Sequence, residues 1–104
     1  MVDVNEEAGK KAADELKHKK REVVFVKADV TSKKSVDAML DAALKAFSRV
    51  DILVNNAGIL IPRLLVDPAG KEELTEQIWD KVAAINQKGY FLCAQAAARE
   101  MMKS

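Results

Sequence analysis

The chain has 104 residues, 49% of them hydrophobic and 32% charged, with a net charge of +1. That length fits one domain over 1–104, or part of one, and it allows a modest core, with about two-thirds of the unfolded surface buried. The apolar content excludes a disordered tail, and the balanced charge gives no electrostatic reason to expect nucleic acid or an anionic membrane as a partner.

Val2 to Val4 read as the tail of a short strand. Asn5 then caps a helix with Glu6 and Glu7 in its first turn. Ala8, Ala12 and Leu16 give that helix a narrow apolar face. The basic run Lys17-His18-Lys19-Lys20-Arg21 closes it, where cations suit the helix dipole and the last carbonyls. Val23-Val24-Phe25-Val26 is an apolar, β-branched run with the signature of a strand buried on both faces. It closes on Lys27-Ala28-Asp29-Val30, and Thr31 or Ser32 caps a second helix. Val36, Met39, Leu40, Ala43, Leu44 and Phe47 form its apolar stripe. Arg49-Val50-Asp51 is a turn, and Ile52-Leu53-Val54 is a third strand that runs into Asn55-Asn56-Ala57-Gly58. A loop with Pro62 and Pro68 follows, from Ile59 to about Gly70. From Thr75 a long helical pattern runs almost to the end, with Trp79, Val82, Ile85, Asn86, Gly89, Cys93, Ala96 and Ala97 along one side.

A single cysteine, Cys93, cannot form an internal disulfide and reads as a small buried thiol. A reducing, cytoplasmic location is the expectation. No apolar stretch approaches the length of a membrane span, and the first residues are acidic where a signal peptide needs basic and then apolar ones. His18 stands alone, so no metal site is expected.

Strands alternating with crossover helices define an α/β, doubly wound parallel sheet. Ligands sit outside the carboxyl ends of such strands, which here are Asp3, Asp29 with Val30, and Asn55 through Gly58. An acid at the position of Asp3 can accept hydrogen bonds from a ribose 2′-OH and repel a 2′-phosphate; it can equally be a turn aspartate. Asp29 can face an adenine amino group or cap the following helix. Two adjacent asparagines at the end of a buried strand carry donors and acceptors that need partners. Ala57 and Gly58 then let a planar ligand or another backbone approach closely. A turn would need only one or two of these residues.

The run Val50-Asp51-Ile52-Leu53-Val54-Asn55-Asn56-Ala57-Gly58 closely resembles the fourth strand of classical short-chain dehydrogenases/reductases. Asp3-Val4-Asn5-Glu6-Glu7 resembles the end of that family's strand two, and Lys27-Ala28-Asp29-Val30-Thr31 the end of its strand three. Trp79-Asp80-Lys81-Val82 followed by Ile85-Asn86-Gln87-Lys88-Gly89 resembles its helix with the active-site asparagine. The resemblance covers essentially the whole chain. It implies a partial Rossmann-like sheet made of strands 2, 3 and 4 of the family with their helices. It implies an oxidoreductase that moves a hydride between NAD, rather than NADP, and a small-molecule substrate. By that resemblance Asp3 contacts the adenosine ribose, Asp29 and Val30 hold the adenine, Asn55 stabilises the sheet beside the cofactor, and Ala57 and Gly58 line the ribose. Asn86 is the implied catalytic asparagine, whose main-chain carbonyl holds a water of the proton relay. An asparagine inside a helix is a poor helix former that can disturb the backbone ladder; a buried asparagine bonded to a neighbour is the plain alternative. A narrower resemblance joins Ile61-Pro62-Arg63-Leu64-Leu65-Val66-Asp67-Pro68 and Ile85-Asn86-Gln87-Lys88-Gly89 to family members that interconvert sorbitol 6-phosphate and fructose 6-phosphate. It places Arg63 near a sugar phosphate, although a solvated loop arginine reads as well.

The departures from the family are large. Gly9, Gly58, Gly70 and Gly89 are too scattered for a phosphate-cradling loop. The family's active-site Ser and Tyr-x-x-x-Lys are expected beyond residue 104, because Ala94 stands where Tyr90 would need its lysine. That lysine lowers the tyrosine pKa for proton transfer opposite the hydride, so the chain alone is expected to be inactive. In the order 3-2-1-4-5-6, strand one lies between strands two and four. Without it the third strand here pairs with the first or leaves an open edge, and open edges invite association. A homo-oligomer is therefore expected, through strands or the alanine-rich helix. The competing reading is a non-catalytic, flavodoxin-like binding or scaffold module.

Overall fold

The computed structural model describes residues 1–103. Strand β1, Val2–Asp3, leads into helix α1, Glu6–His18, and strand β2, Val26–Lys27. The Asn5 side chain accepts from the Ala8 N–H and starts α1 as expected. β1 and β2 pair in parallel, Val2 opposite Val26 and Asp3 opposite Lys27. Main-chain N–H groups of Val26 and Ala28 donate to the carbonyls of Met1 and Asp3 at 2.9 and 3.1 Å. The strand expected over Val23–Val26 is thus a two-residue ladder that starts three residues later and ends one later, and Val23 to Val26 are half-buried rather than fully enclosed. The reason is that β2 has one strand neighbour where a central parallel strand has two.

Helix α2, Lys33–Phe47, starts at Ser32, whose hydroxyl accepts from the Ser35 N–H. It ends at Ser48 with a left-handed φ of 66°, the usual C-terminal reversal although without a glycine. Thr75 caps helix α3, Glu76–Ala83, by accepting from the Ile78 N–H. Helix α4, Gly89–Met101, follows through one π-helical turn over Ala84–Lys88. The long helix read from the sequence is therefore continuous in direction but interrupted in hydrogen bonding at Asn86.

Alternation along β2 shows how the layers stack, because successive residues point to opposite faces. Phe25 lies against Gly9 of α1. Val26, Ala28 and Val30 face the other way, into a cluster built on Val36, Met39 and Leu40 of α2 and Leu92, Cys93 and Ala97 of α4. Helices thus cover both faces of the strands, as a doubly wound α/β sheet requires. The α1 face is rotated by one residue from the expected Ala8 and Ala12: Gly9 and Ala13 are the buried positions, because only a glycine fits under the Phe25 ring. On α2, Val36, Met39 and Leu40 are buried as expected, whereas Phe47 is exposed at the helix end. Trp79, expected on the packed side, is also exposed.

The largest departure from the sequence reading is Ile52-Leu53-Val54. The segment belongs to no ladder, and among the described residues no hydrogen bond uses the backbone of 50–58. Val50 and Leu53 rest against the core cluster, but Ile52 and Val54 are 80% and 77% exposed. The segment keeps its place through side-chain packing and does not close up on β1. The result is an open slab of 54 × 32 × 18 Å with a Cα radius of gyration of 16.8 Å, against about 13 Å for a compact domain of this length.

Candidate functional site

One cleft of about 700 Å³ runs past the end of β1, the residues just after β2 and the unpaired segment 50–59. Asp3, Asp29, Val30, Asn55, Ala57 and Gly58 all line it, so the structure brings together the six residues singled out for cofactor contact. Asn86 does not line the cleft, although its neighbour Ile85 does.

Each strand-end residue is held by local bonding. One Asp3 carboxylate oxygen, Oδ1, accepts from the Asn5 N–H at 2.9 Å, an Asx turn of the kind short acidic side chains favour. Its other oxygen has no partner among the described residues. Asp29 is held more firmly. Its Oδ1 accepts from the Thr31 hydroxyl at 2.7 Å and from the Thr31 N–H at 2.9 Å. The hydroxyl, and then the amide, hold the Asp29 carboxyl below the usual aspartate range. Its own N–H donates to Ser35 Oγ at 2.8 Å. Asp29 thus bonds just ahead of α2 while Ser32 caps the helix, and its Oδ2 has no partner among the described residues. Thr31 and Ser35 were not read as part of the site, although the Asp-x-Thr spacing is a local signal for this turn.

Val30 packs tightly against the start of α4. A Cβ on Gly89 would lie 2.7 Å from Val30 Cγ2 and 3.2 Å from its Cβ. At Gly58 the surroundings are open: only the Asn86 carboxamide comes within 4 Å of a built Cβ, with Oδ1 at 3.4 Å. The backbone of Ala57 and Gly58 is therefore accessible from the cleft. Asn55 is half-buried and Asn56 exposed, and neither side chain bonds within the described residues.

Asn86 is bonded to a neighbour. Its Nδ2 donates to the Ile59 carbonyl at 2.8 Å, and its Oδ1 accepts from the Ile59 N–H at 2.9 Å. This pair of bonds spans 27 residues of sequence and fixes the chain just past Gly58 to the π turn. Ile59 carried no sequence signal for this role, because only its main chain takes part. A π turn of this kind is often found at functional sites.

Arg63 lies apart from these groups. Its guanidinium donates to the Pro62 carbonyl at 2.7 Å, and the residue is exposed. Asp67 organises the same loop by accepting from the N–H groups of Ala69, Lys71 and Glu72, which together hold its carboxyl low, Glu72 most strongly. Cys93 is buried, and burial pushes its thiol pKa up. Among the described residues no cluster of three metal-ligating side chains occurs, and no helix is long and apolar enough to cross a membrane.

A parallel βαβ unit with helices on both faces, and strand ends that converge on one cleft, define a dinucleotide-binding type of sheet. The chain belongs to the family described as short chain dehydrogenase, whose profile matches residues 1–104. It is 49% identical over 82 residues to a sorbitol-6-phosphate 2-dehydrogenase of Klebsiella pneumoniae, covering 76% of this chain and 31% of that protein. It is 35% identical over 102 residues to a 2,5-dichloro-2,5-cyclohexadiene-1,4-diol dehydrogenase, LinX, of Sphingobium indicum, covering 98% of this chain and 38% of that protein. Among solved structures it is similar to a short chain dehydrogenase/reductase from Burkholderia phymatum in complex with NAD, with TM-score 0.87 and 32% identity over 98% of this chain and 34% of that one. The chain spans about a third of the length of these relatives.

Proposed function

We propose that this chain supplies the adenosine side of the NAD site in an oxidoreductase that transfers a hydride between the nicotinamide and a polyol or keto-sugar phosphate. The convergence of Asp3, Asp29, Val30, Asn55, Ala57 and Gly58 on one cleft carries this reading. The groups suit an adenosine. Asp3 Oδ2 would accept from a ribose hydroxyl and repel a 2′-phosphate, which favours NAD over NADP. Asp29 is ionised and offers Oδ2 to an amino group beside Val30. The open backbone at Ala57 and Gly58 admits a sugar at close range. A pyrophosphate finds no glycine-rich cradle within these 104 residues.

When bound, NAD supplies the hydride acceptor. Asn86 is the residue of this chain assigned to the proton relay. Its side chain is committed to Ile59, so the contribution falls to its main-chain carbonyl in the π turn, which would hold a water. No Tyr-x-x-x-Lys pair accompanies it here, since Tyr90 is followed at the fourth position by Ala94. This chain alone is therefore inactive. The 49% identity to a sorbitol-6-phosphate 2-dehydrogenase supports sorbitol 6-phosphate and fructose 6-phosphate as the substrate pair, with Arg63 free to turn toward a phosphate. Residues 1–104 act as a single partial dinucleotide-binding domain. A buried free thiol suits a reducing cytoplasm. Self-association is proposed through open strand edges or the alanine-rich helix α4; a strictly monomeric species in light scattering at high concentration would refute it.

The test is a titration of this chain with NAD, NADP and buffer alone, followed by backbone amide NMR. Shifts at Asp3, Asp29 and Gly58 with NAD, and weaker ones with NADP, support the reading. Shifts confined to the loop 60–74, or none, refute it. Oxidation of sorbitol 6-phosphate at a normal enzymatic rate by this chain alone would refute the predicted inactivity.

A further inference from the structure

Asp29 accepts twice on one carboxylate oxygen. Thr31 donates to Oδ1 from its hydroxyl at 2.7 Å and from its main-chain N–H at 2.9 Å. Oδ2 has no partner among the described residues, and Asp29 lines the cleft. The main chain around it is held as well. The Asp29 N–H donates to Ser35 Oγ at 2.8 Å, and the Asp29 carbonyl accepts from the Ser32 N–H at 3.1 Å. Thr31 therefore fixes where the carboxylate lies and leaves one of its oxygens unmatched. An ionised carboxylate accepts hydrogen bonds and never donates them. The unmatched oxygen suits a ligand group that carries N–H and disfavours one that presents a lone pair.

We propose, on the reading that NAD occupies the cleft, that Thr31 is a positioning residue for base selection: by holding Oδ1 of Asp29 it keeps Oδ2 as an acceptor that takes a 6-amino purine and turns away a 6-oxo purine. The bond from the main-chain N–H is open to any residue at this position except proline. The hydroxyl bond is not, so the threonine side chain carries the selection. The same geometry fixes the sign of a second substitution. In Asp29→Asn the amide must turn its oxygen toward Thr31, because the Thr31 N–H can only donate. The NH2 group then takes the place of Oδ2 and donates. Preference between the two purines is therefore expected to reverse.

The experiment titrates this chain and its variants, by amide NMR, with NAD and with nicotinamide hypoxanthine dinucleotide, which carries oxygen in place of the 6-amino group. The readout is the ratio of the two dissociation constants. A merely structural loss weakens both ligands alike and leaves the ratio unchanged. Wild type is expected to favour NAD by about tenfold, the worth of one hydrogen bond to a charged group made rather than lost. Thr31→Val is expected to bring the ratio to about threefold or less, and Thr31→Ser to keep it near the wild-type value. Asp29→Asn is expected to favour the hypoxanthine ligand. It leaves Thr31 in place, so it decides the question even if Thr31→Val unfolds the turn. Four outcomes overturn the inference while NAD binding at Asp3 and Gly58 stands: equal binding of both ligands by wild type, a wild-type ratio in Thr31→Val, the Thr31→Val ratio in Thr31→Ser, or continued preference for NAD in Asp29→Asn. Absence of NAD shifts at Asp3, Asp29 and Gly58 overturns the NAD reading and this inference with it.

Discussion

Asn86 and Ile59 exchange two hydrogen bonds, side chain to main chain, at 2.8 and 2.9 Å. The pair ties the chain past Gly58 to the π turn. Asn86→Ala removes both bonds and leaves a half-buried main-chain donor and acceptor without partners, at a cost of about 1–3 kcal/mol. Asn86→Asp keeps the acceptor but places a carboxylate oxygen against the Ile59 carbonyl, so it is expected to destabilise as well. Urea unfolding followed by circular dichroism checks both; wild-type midpoints would contradict the role assigned to the pair.

Gly89→Ala is expected to destabilise the chain although alanine is the better helix former by about 1 kcal/mol. The new Cβ would sit 2.7 Å from Val30 Cγ2 and 3.2 Å from Val30 Cβ, and a β-branched side chain has little freedom to swing away. Overpacking of this kind costs about 1–3 kcal/mol. Adding Val30→Ala should recover stability lost by Gly89→Ala, which a double-mutant cycle in urea would measure.

Val36, on the inner face of α2, is fully buried. Val36→Ala deletes two methyl groups from the centre of the cluster and is expected to cost about 2 kcal/mol, from transfer plus the cavity left behind. A change below about 0.5 kcal/mol, the range of ordinary surface substitutions, would show that the open slab collapses around the site.

The Asp29 carboxyl is held low by Thr31. A carboxyl whose folded pKa lies below its unfolded value adds stability that is present above the unfolded value, near 3.9, and lost as pH falls through the folded value. Neutral pH should therefore leave the Asp29–Thr31 turn intact, and only strong acid should loosen it. Titration by NMR of the Asp29 carboxyl carbon should place its midpoint below that of a free aspartate. Thr31→Val removes the larger, hydroxyl contribution and should move the midpoint upward.

Asp3→Asn keeps an acceptor for the Asn5 N–H but removes the negative charge where the ribose is proposed to lie. The expected outcome is a smaller preference for NAD over NADP in the amide titration, with β1 and α1 unchanged in circular dichroism. An unchanged preference would detach Asp3 from cofactor choice.

Local chemistry determined what the sequence by itself made legible. The caps Asn5, Ser32 and Thr75 and the stripe of α2 were readable because each depends on neighbours within four residues. The six residues singled out for cofactor contact were readable because a parallel sheet is expected to send its carboxyl ends to one side, and in the structure all six line one cleft, although Asn55, Ala57 and Gly58 follow a segment in no ladder. Tertiary structure alone decided three things. Rotation of α1 onto Gly9 and Ala13 follows from the Phe25 ring, which no spacing within the helix reveals. The clamp between Asn86 and Ile59 crosses 27 residues and uses a main chain common to every residue type. The fate of Ile52–Val54 depends on whether a neighbouring edge comes within hydrogen-bonding reach. Its apolar, β-branched composition suits a strand, but a ladder needs a partner, and packing through Val50 and Leu53 holds the segment where β1 does not reach it.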